Sequence, residues 1–336
     1  MALADLPRPT PGADEILVAV HAGALNPIDE YLRSGLMAPI TPLAFPQVAG
    51  NELSGRVVAL GAGVRSFAVG DAVVARVGKL RTGTLAQLVA VPVAYAAHAP
   101  TTVPLSDAAG LPLCGLTAVQ MLDRLKVGRG DRLLIAGGAT AVGLFGIQLA
   151  KLRGAHVVAT ASPAGAPLVR AMGADEVIDY KASATAVADW AAAHGAFGKV
   201  FDAAGPREDV SQLVAAATDA AHIVTVAGPL PPGCFDAVLP MWRRWYVNTV
   251  LWTRFRGTRA LVAARGISYE YVFMEPDGAQ LAQLVKLVDD GQLKLTTDGE
   301  YPLERWAEAF ARLESGRAKG KIVITLPPLA GEGAGR

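Results

Sequence analysis

Apolar residues recur in short, nearly alternating runs over the first third of the chain, a pattern that predicts strands. "EILVAVHAGAL" (15–25), "NELSGRVVAL" (51–60), "DAVVARVG" (71–78) and "LAQLVAVPV" (85–93) are such runs, set apart by Gly, Pro and Asp. "GAGVRSFAVGD" (61–71) reads as a turn-rich link. Strands with no long helix between them predict a compact, barrel-like β domain. The rhythm then changes. "DRLLIAG" (131–137) is a strand and Val142–Arg153 a helix. "AHVVATA" (155–161) and "DEVIDY" (175–180) are strands, each followed by a helix, to Met172 and over 184–194. "KVFDAAG" (199–205), "EDVSQLVAAAT" (208–218) and "AHIVTVAG" (221–228) continue the alternation. Strand and helix repeating at this spacing predict an α/β region with a doubly wound parallel sheet. Beyond it come a strand (267–276), amphipathic helices (278–292 and 301–315), a closing strand (319–327) and a frayed tail, "LAGEGAGR".

Composition narrows the function classes. The 336 residues suggest two lobes, and 52 % apolar residues supply a large core. A net charge of +1, with no long run of one sign, argues against nucleic acid as a partner. The two cysteines, Cys114 and Cys234, are too few for a disulfide framework or a four-thiolate zinc lobe, and suit a reducing cytoplasm. The opening residues 1–10 lack the apolar stretch of a signal peptide. The charge-free run 133–150 is divided by glycines, so no membrane partner is expected.

The stretch "IAGGATAVGLFGIQLAKLRGA" (135–155) holds the first candidate chemistry. A Gly-rich turn between strand and helix lets backbone N–H groups meet a pyrophosphate at the helix N-terminus. Gly138, Thr140 and Gly143 give G-x-T-x-x-G, with Ala141 and Val142 opening the helix. Gly138 would make the tight turn and Gly143 allow close helix–strand packing. Thr140 replaces the usual glycine; it either bonds a phosphate oxygen or holds the pyrophosphate further off. An acid at the end of the second strand would bond an NAD ribose and repel a 2′-phosphate. "ATASP" (159–163) has none, which permits NADPH. Ser162 would donate to that phosphate, with Arg170, Tyr180 or Arg317 approaching through the fold.

These residues carry a resemblance. "GALNPIDEYLRSG" (23–35), "VAGNELSGRVVALGAGVRSFAVGDAV" (48–73), "AAGLPLCGLTAVQML" (108–122), "GADEVIDY" (173–180) and "LESGRAKGKIVI" (313–324) resemble the medium-chain dehydrogenase/reductase superfamily. The branch is its zinc-independent quinone oxidoreductase (ζ-crystallin-like) group. The resemblance implies a GroES-like β-barrel catalytic domain from both chain ends (1–112 and 277–336) around a Rossmann dinucleotide-binding domain (113–276). It also implies a homodimer, and adds Thr117, Gly228 and Phe273 to the cofactor-binding residues.

Zinc alcohol dehydrogenases of this superfamily use a Cys, a His in G-H-E and a later Cys or acid. Here Asn26 stands at the Cys position, and Gly50-Asn51-Glu52 at G-H-E. Amides bind Zn²⁺ poorly, and the five histidines are scattered without ligand spacing. No metal is expected. The expected reaction is hydride transfer from NADPH to a quinone or other conjugated enone, with hydrogen-bond donors where negative charge develops. By resemblance, Asn26 and Tyr31 line the nicotinamide and substrate pocket as the catalytic residues, and Asp29 organises their loop. The alternatives are an enoyl (thioester) reductase of biosynthesis and a nucleotide-binding scaffold with low turnover. Met37 stands where related enoyl reductases carry a proton-donating Tyr, which weighs against the first. "MWRRWYVNTVLWTRFRGTR" (241–259), with three Trp and five Arg, reads as a helix with Arg stems over a subunit or cleft surface, less readily as a nucleic-acid contact.

Overall fold

The computed structural model describes residues 1–38, 46–78, 81–205, 209–236 and 239–329. The expected frayed tail from Ala330 onward lies outside them. In chain order the described residues form β1 (Glu15–Leu25), α1 (Pro27–Arg33), β2 (Glu52–Leu60), β3 (Ala72–Arg76), β4 (Leu88–Pro92), β5 (Ala96–His98), α2 (Leu105–Ala108) and α3 (Pro112–Arg124). Then follow β6 (Arg132–Ala136), α4 (Ala141–Leu152), β7 (His156–Ala161), α5 (Ala166–Ala171), β8 (Glu176–Asp179), α6 (Ala186–His194), β9 (Phe197–Asp202), α7 (Val210–Ala216) and β10 (Ala217–Thr225). The last elements are α8 (Met241–Ala264), β11 (Ser268–Tyr271), α9 (Gly278–Asp289), β12 (Thr297–Pro302), α10 (Trp306–Glu314) and β13 (Lys321–Thr325). The chain divides into two compact units, Met1–Leu116 with Met274–Arg336, and Thr117–Phe273.

The first unit holds a seven-stranded sheet in the order β12-β13-β1-β2-β3-β5, with β4 also pairing β1. β1 is its centre, bonded antiparallel to β13, β2 and β4. Register shifts at Leu17/Val18 and Val20/Ala22 bend it, which is how bulges let one strand serve several partners. Ile16, Val18, Leu53, Val73 and Val91 build one core beneath it. Phe310, Ile322, Ile324 and Leu25 build another, under α10. Two registers set up the site described below. Leu25 lies opposite Ile322, so the residue after β1 and the first residue of β13 are neighbours. Glu52 lies opposite Arg76 across β2 and β3.

The second unit is a six-stranded parallel sheet, β11-β10-β9-β6-β7-β8. The order reverses between β6 and β9, and in such sheets ligands bind beyond the strand C-termini at that reversal. Leu134, Val158, Phe197, Val200 and Ile223 form its core.

Two expectations are corrected. The helix expected over 301–315 begins only at Trp306, because Thr297–Pro302 pairs in parallel with β13 as strand β12. "NPIDEYLRSG" is not loop but carries α1, begun by Pro at its first turn and capped by Asn26 and Asp29.

Candidate active site

At the end of β1 the chain turns through Asn26 into α1. The Asn26 backbone N–H donates to Asp29 Oδ2 at 2.8 Å, a capping box that fixes the helix start. Gly50 sits at φ +92°, a backbone angle that suits glycine, and the turn there leads into Asn51 and Glu52. Asn51 Nδ2 then donates to Asp29 Oδ1 at 2.5 Å. Burial of Asn26, Asp29, Asn51, Glu52, Arg76 and Lys321 ranges from 0 to 4 % residual exposure. Such a set survives inside a protein only when its members bond one another.

They do. The Lys321 ammonium donates to Glu52 Oε1 at 2.7 Å, Asn26 Oδ1 at 2.6 Å and the Leu25 carbonyl at 3.1 Å, with Cys114 Sγ at 3.5 Å. Glu52 also accepts from Asn26 Nδ2 at 2.7 Å and from the Leu113 N–H at 2.7 Å. Arg76 donates to the carbonyls of Asn51, Gly78 and Arg81. Two carboxylates are thus set against two cations.

The electrostatics follow from the burial. Desolvation pushes the Asp29 carboxyl up to about 6, against the bonds from Asn26 and Asn51 and the attraction of Lys321. Burial pushes the Cys114 thiol up to about 11. Burial works against the Lys321 ammonium, but the Cys114 sulfur, Glu52 and Asp29 outweigh it and raise its pKa above the ordinary value. A thiol that holds its proton to about 11 brings no charge at neutral pH, so the Glu52 carboxylate is the partner that matters there.

Asn26, expected to donate to a substrate, spends its amide within this cluster: Nδ2 on Glu52 and, at 3.3 Å, on the Ala24 carbonyl; Oδ1 on Lys321. Tyr31, on α1, is 40 % exposed, and its hydroxyl makes no hydrogen bond among the described residues. Met37 donates its N–H to the Tyr31 carbonyl. Lys321, Cys114 and Arg76 were missed in the sequence. The donor set is a poor fit for zinc: two amides, one thiol and two carboxylates already bonded to protein donors, with an ammonium at their centre that would repel a divalent cation. Among the described residues no group of three or more His, Cys, Asp or Glu is placed to hold a metal.

In the second unit the turn after β6 has the expected strand–turn–helix form. The residue that turns it is Gly137, at φ +74°, rather than Gly138, whose N–H donates to the Thr160 carbonyl at 2.9 Å. A side chain on Gly143 would collide with the Gly137 carbonyl, so this glycine is a packing requirement. Thr140 is the N-cap of α4: its hydroxyl accepts from the Gly143 N–H at 3.0 Å and donates to the Gly137 carbonyl at 2.8 Å. That leaves the first amides of the helix, Ala141 and Val142, for an anion. Ser162 follows β7 and Tyr180 follows β8, where it packs on the core. Asp179 ends β8 and accepts from the Lys181 N–H, so an acid closes the third strand and none the second. Gly228 donates its N–H to Thr225 Oγ1 at 2.7 Å, and the Phe273 ring packs at a tilt against Phe235 and Tyr271. Thr117 is buried on α3; exposed Arg317 belongs to the other unit.

Comparison with known proteins places this geometry. Residues 12–101 match the alcohol dehydrogenase GroES-like domain, and 172–324 a family described as zinc-binding dehydrogenase. The chloroplastic quinone-oxidoreductase of Triphysaria versicolor is 31 % identical over 95 % of this chain and 92 % of its own. A trans-enoyl reductase of Penicillium oxalicum is 29 % identical over 93 % of this chain and 89 % of its own. The quinone oxidoreductase of Coxiella burnetii superposes with a TM-score of 0.81 at 27 % identity, covering 97 % of this chain and 95 % of that one. The mycobacterial protein Rv1454c, solved with NADPH, gives 0.77 at 28 % identity, covering 96 % and 94 %.

Proposed function

The chain is an oxidoreductase of the medium-chain dehydrogenase/reductase superfamily, of the quinone oxidoreductase kind, and from that premise we propose that it reduces a quinone or other conjugated enone with NADPH and without a metal. The observation that carries the reading is the Lys321–Glu52–Asn26 cluster. Where a zinc enzyme of this superfamily gathers metal ligands, this chain holds an ammonium fully engaged by protein acceptors. An alcohol substrate would find no Lewis acid there to stabilise an alkoxide. A conjugated carbonyl is already electrophilic and asks only for placement and a hydrogen-bond donor.

NADPH supplies the hydride when bound; the chain's residues bind and orient. The Ala141 and Val142 amides meet the pyrophosphate, with Gly138, Gly143 and the Thr140 cap shaping the turn. Ser162 takes the 2′-phosphate, with Tyr180 of the same unit; Arg317, the further contact expected from the sequence, belongs to the first unit. Thr117, Gly228 and Phe273 complete the cofactor contacts. Tyr31, the exposed phenol of α1, donates to the oxygen on which negative charge develops. Asn26 acts as a positioning residue, holding α1 to the buried cluster. A homodimer in the reducing cytoplasm is the working form, in keeping with two unpaired thiols.

The test is a calorimetric titration with NADPH and NADH, followed by turnover with a panel of quinones, enones and an enoyl thioester, with and without a chelator. NADPH binds the more tightly, and quinones or simple enones turn over regardless of the chelator. Equal dissociation constants for the two nucleotides contradict the cofactor choice. Tight binding with no enzyme-dependent oxidation across the panel contradicts the reaction. Turnover confined to the thioester points to the enoyl reductase reading, which the likeness to the Penicillium oxalicum enzyme favours and Met37 opposes.

A further inference from the structure

Helix α8 is amphipathic in an unusual sense. Val247, Leu251, Phe255 and Val262 recur at helical spacing and are buried. Trp242, Trp245, Tyr246 and Trp252 form the opposite stripe and face water, with Trp242 72 % and Trp245 76 % exposed. The helix carries five arginines and no acid along its 24 residues. The Arg243 guanidinium lies 4.9 Å from the Trp242 ring centroid. Two acids bond the helix without pairing its five arginines: Asp219 holds Arg265 at the C-cap, and Asp236 accepts from the Asn248 amide. The sequence predicts a helix with Arg stems over a subunit or cleft surface; among the described residues the rings of Trp242, Trp245, Tyr246 and Trp252 are left exposed.

We propose that α8 is a docking face for an anionic lipid bilayer, on which the protein lies peripherally. Water-facing tryptophans among arginines are the composition of a helix lying in a headgroup region, where amphipathic rings and basic side chains both find their preferred surroundings. Charge selects the occupant. A second copy laid along the same face sets the exposed Arg254, Arg256 and Arg259 against their counterparts with no acid of either helix between them. A single-stranded nucleic acid binds in a basic groove with stacking platforms, and one helix ridge forms no groove. Among the described residues no helix is long and apolar enough to cross a membrane, so the contact is with the surface. The inference is independent of the reaction proposed above.

The full chain is floated with vesicles of phosphatidylcholine alone, and of phosphatidylcholine and phosphatidylglycerol in equal parts. Binding to the anionic vesicles only, weakened by salt, with a blue shift in tryptophan emission, is the expected result. Trp242→Ser, Trp245→Ser and Trp252→Ser combined abolish flotation while circular dichroism stays that of the parent. Arg256→Gln and Arg259→Gln each weaken it by roughly fivefold. No flotation with anionic vesicles overturns the proposal. So does flotation that the serine variants do not alter. Sedimentation velocity and a labelled oligothymidylate identify the other occupants. If the triple variant dissociates a dimer, or the parent binds the oligonucleotide, and no vesicle is bound, the face belongs to a second copy or to nucleic acid instead.

Discussion

Replacing Lys321 by Met keeps the length of the side chain and removes its charge and its donors. Three short bonds vanish, to Glu52, Asn26 and the Leu25 carbonyl. Glu52 is 0 % exposed, so its carboxylate is left inside the protein with only Asn26 and Leu113 as donors. Breaking a buried pair from one side costs about 3–5 kcal/mol, because the surviving charge is uncompensated. The double variant Lys321→Met/Glu52→Gln removes both charges and recovers a large part of that loss. The coupling in the double-mutant cycle is about 2 kcal/mol or more. Equilibrium unfolding in urea, read by circular dichroism with the slope checked for constancy, measures all four proteins. A Lys321→Met loss below about 1 kcal/mol, or additive single effects, would refute the claim that the ammonium is integral to this centre.

Asp29 gives a pH signature. Its carboxyl is raised from 3.8 to about 6, so the folded state holds the proton more tightly than the unfolded one. The stabilisation from this group is fully present below pH 3.8 and is lost as pH rises to about 6, roughly 3 kcal/mol at most. Asp29→Asn therefore gains stability relative to the parent as pH climbs through that window; a difference independent of pH contradicts the shift. Thr140→Val loses a helix cap and about 1 kcal/mol of stability, whereas Thr140→Ser keeps both cap and NADPH affinity. Unchanged stability with weakened NADPH binding would assign the hydroxyl to the phosphate instead. Tyr31→Phe lowers kcat about 100- to 1,000-fold with little change in NADPH affinity, as expected for a donor to developing charge; an unaltered kcat removes Tyr31 from that role.

Local patterns were legible wherever the governing contacts are local. β1 spans the run read from its alternation, and the β6–turn–α4 unit is visible from its glycines. The role within that turn was misplaced by one residue, since only the backbone angles distinguish Gly137 from Gly138. The last two residues of β12, Tyr301 and Pro302, carry the helical spacing of "YPLERWAEAF", while pairing with β13 makes them strand. The buried centre was half visible. Asn26 and Asn51 could be found by resemblance, but Lys321 looked like one more cation in "KGKIVI". Its partner Glu52 is 269 residues away, and Cys114 is 207 away. They meet through the β1–β13 register, which no short-range signal encodes. A strand-opening lysine in an otherwise apolar strand was the one available hint.

Direct hydride delivery to a conjugated acceptor leaves an isotopic trace in the product. NADPH carrying deuterium at both C4 positions of the dihydronicotinamide is mixed with the protein and a conjugated enone, and the product is analysed by mass spectrometry and NMR. One deuterium at the β-carbon, a proton from solvent at the α-carbon, and the same yield with a chelator present are expected. Product without deuterium, or transfer that stops on chelation and returns with zinc, would contradict direct, metal-free delivery.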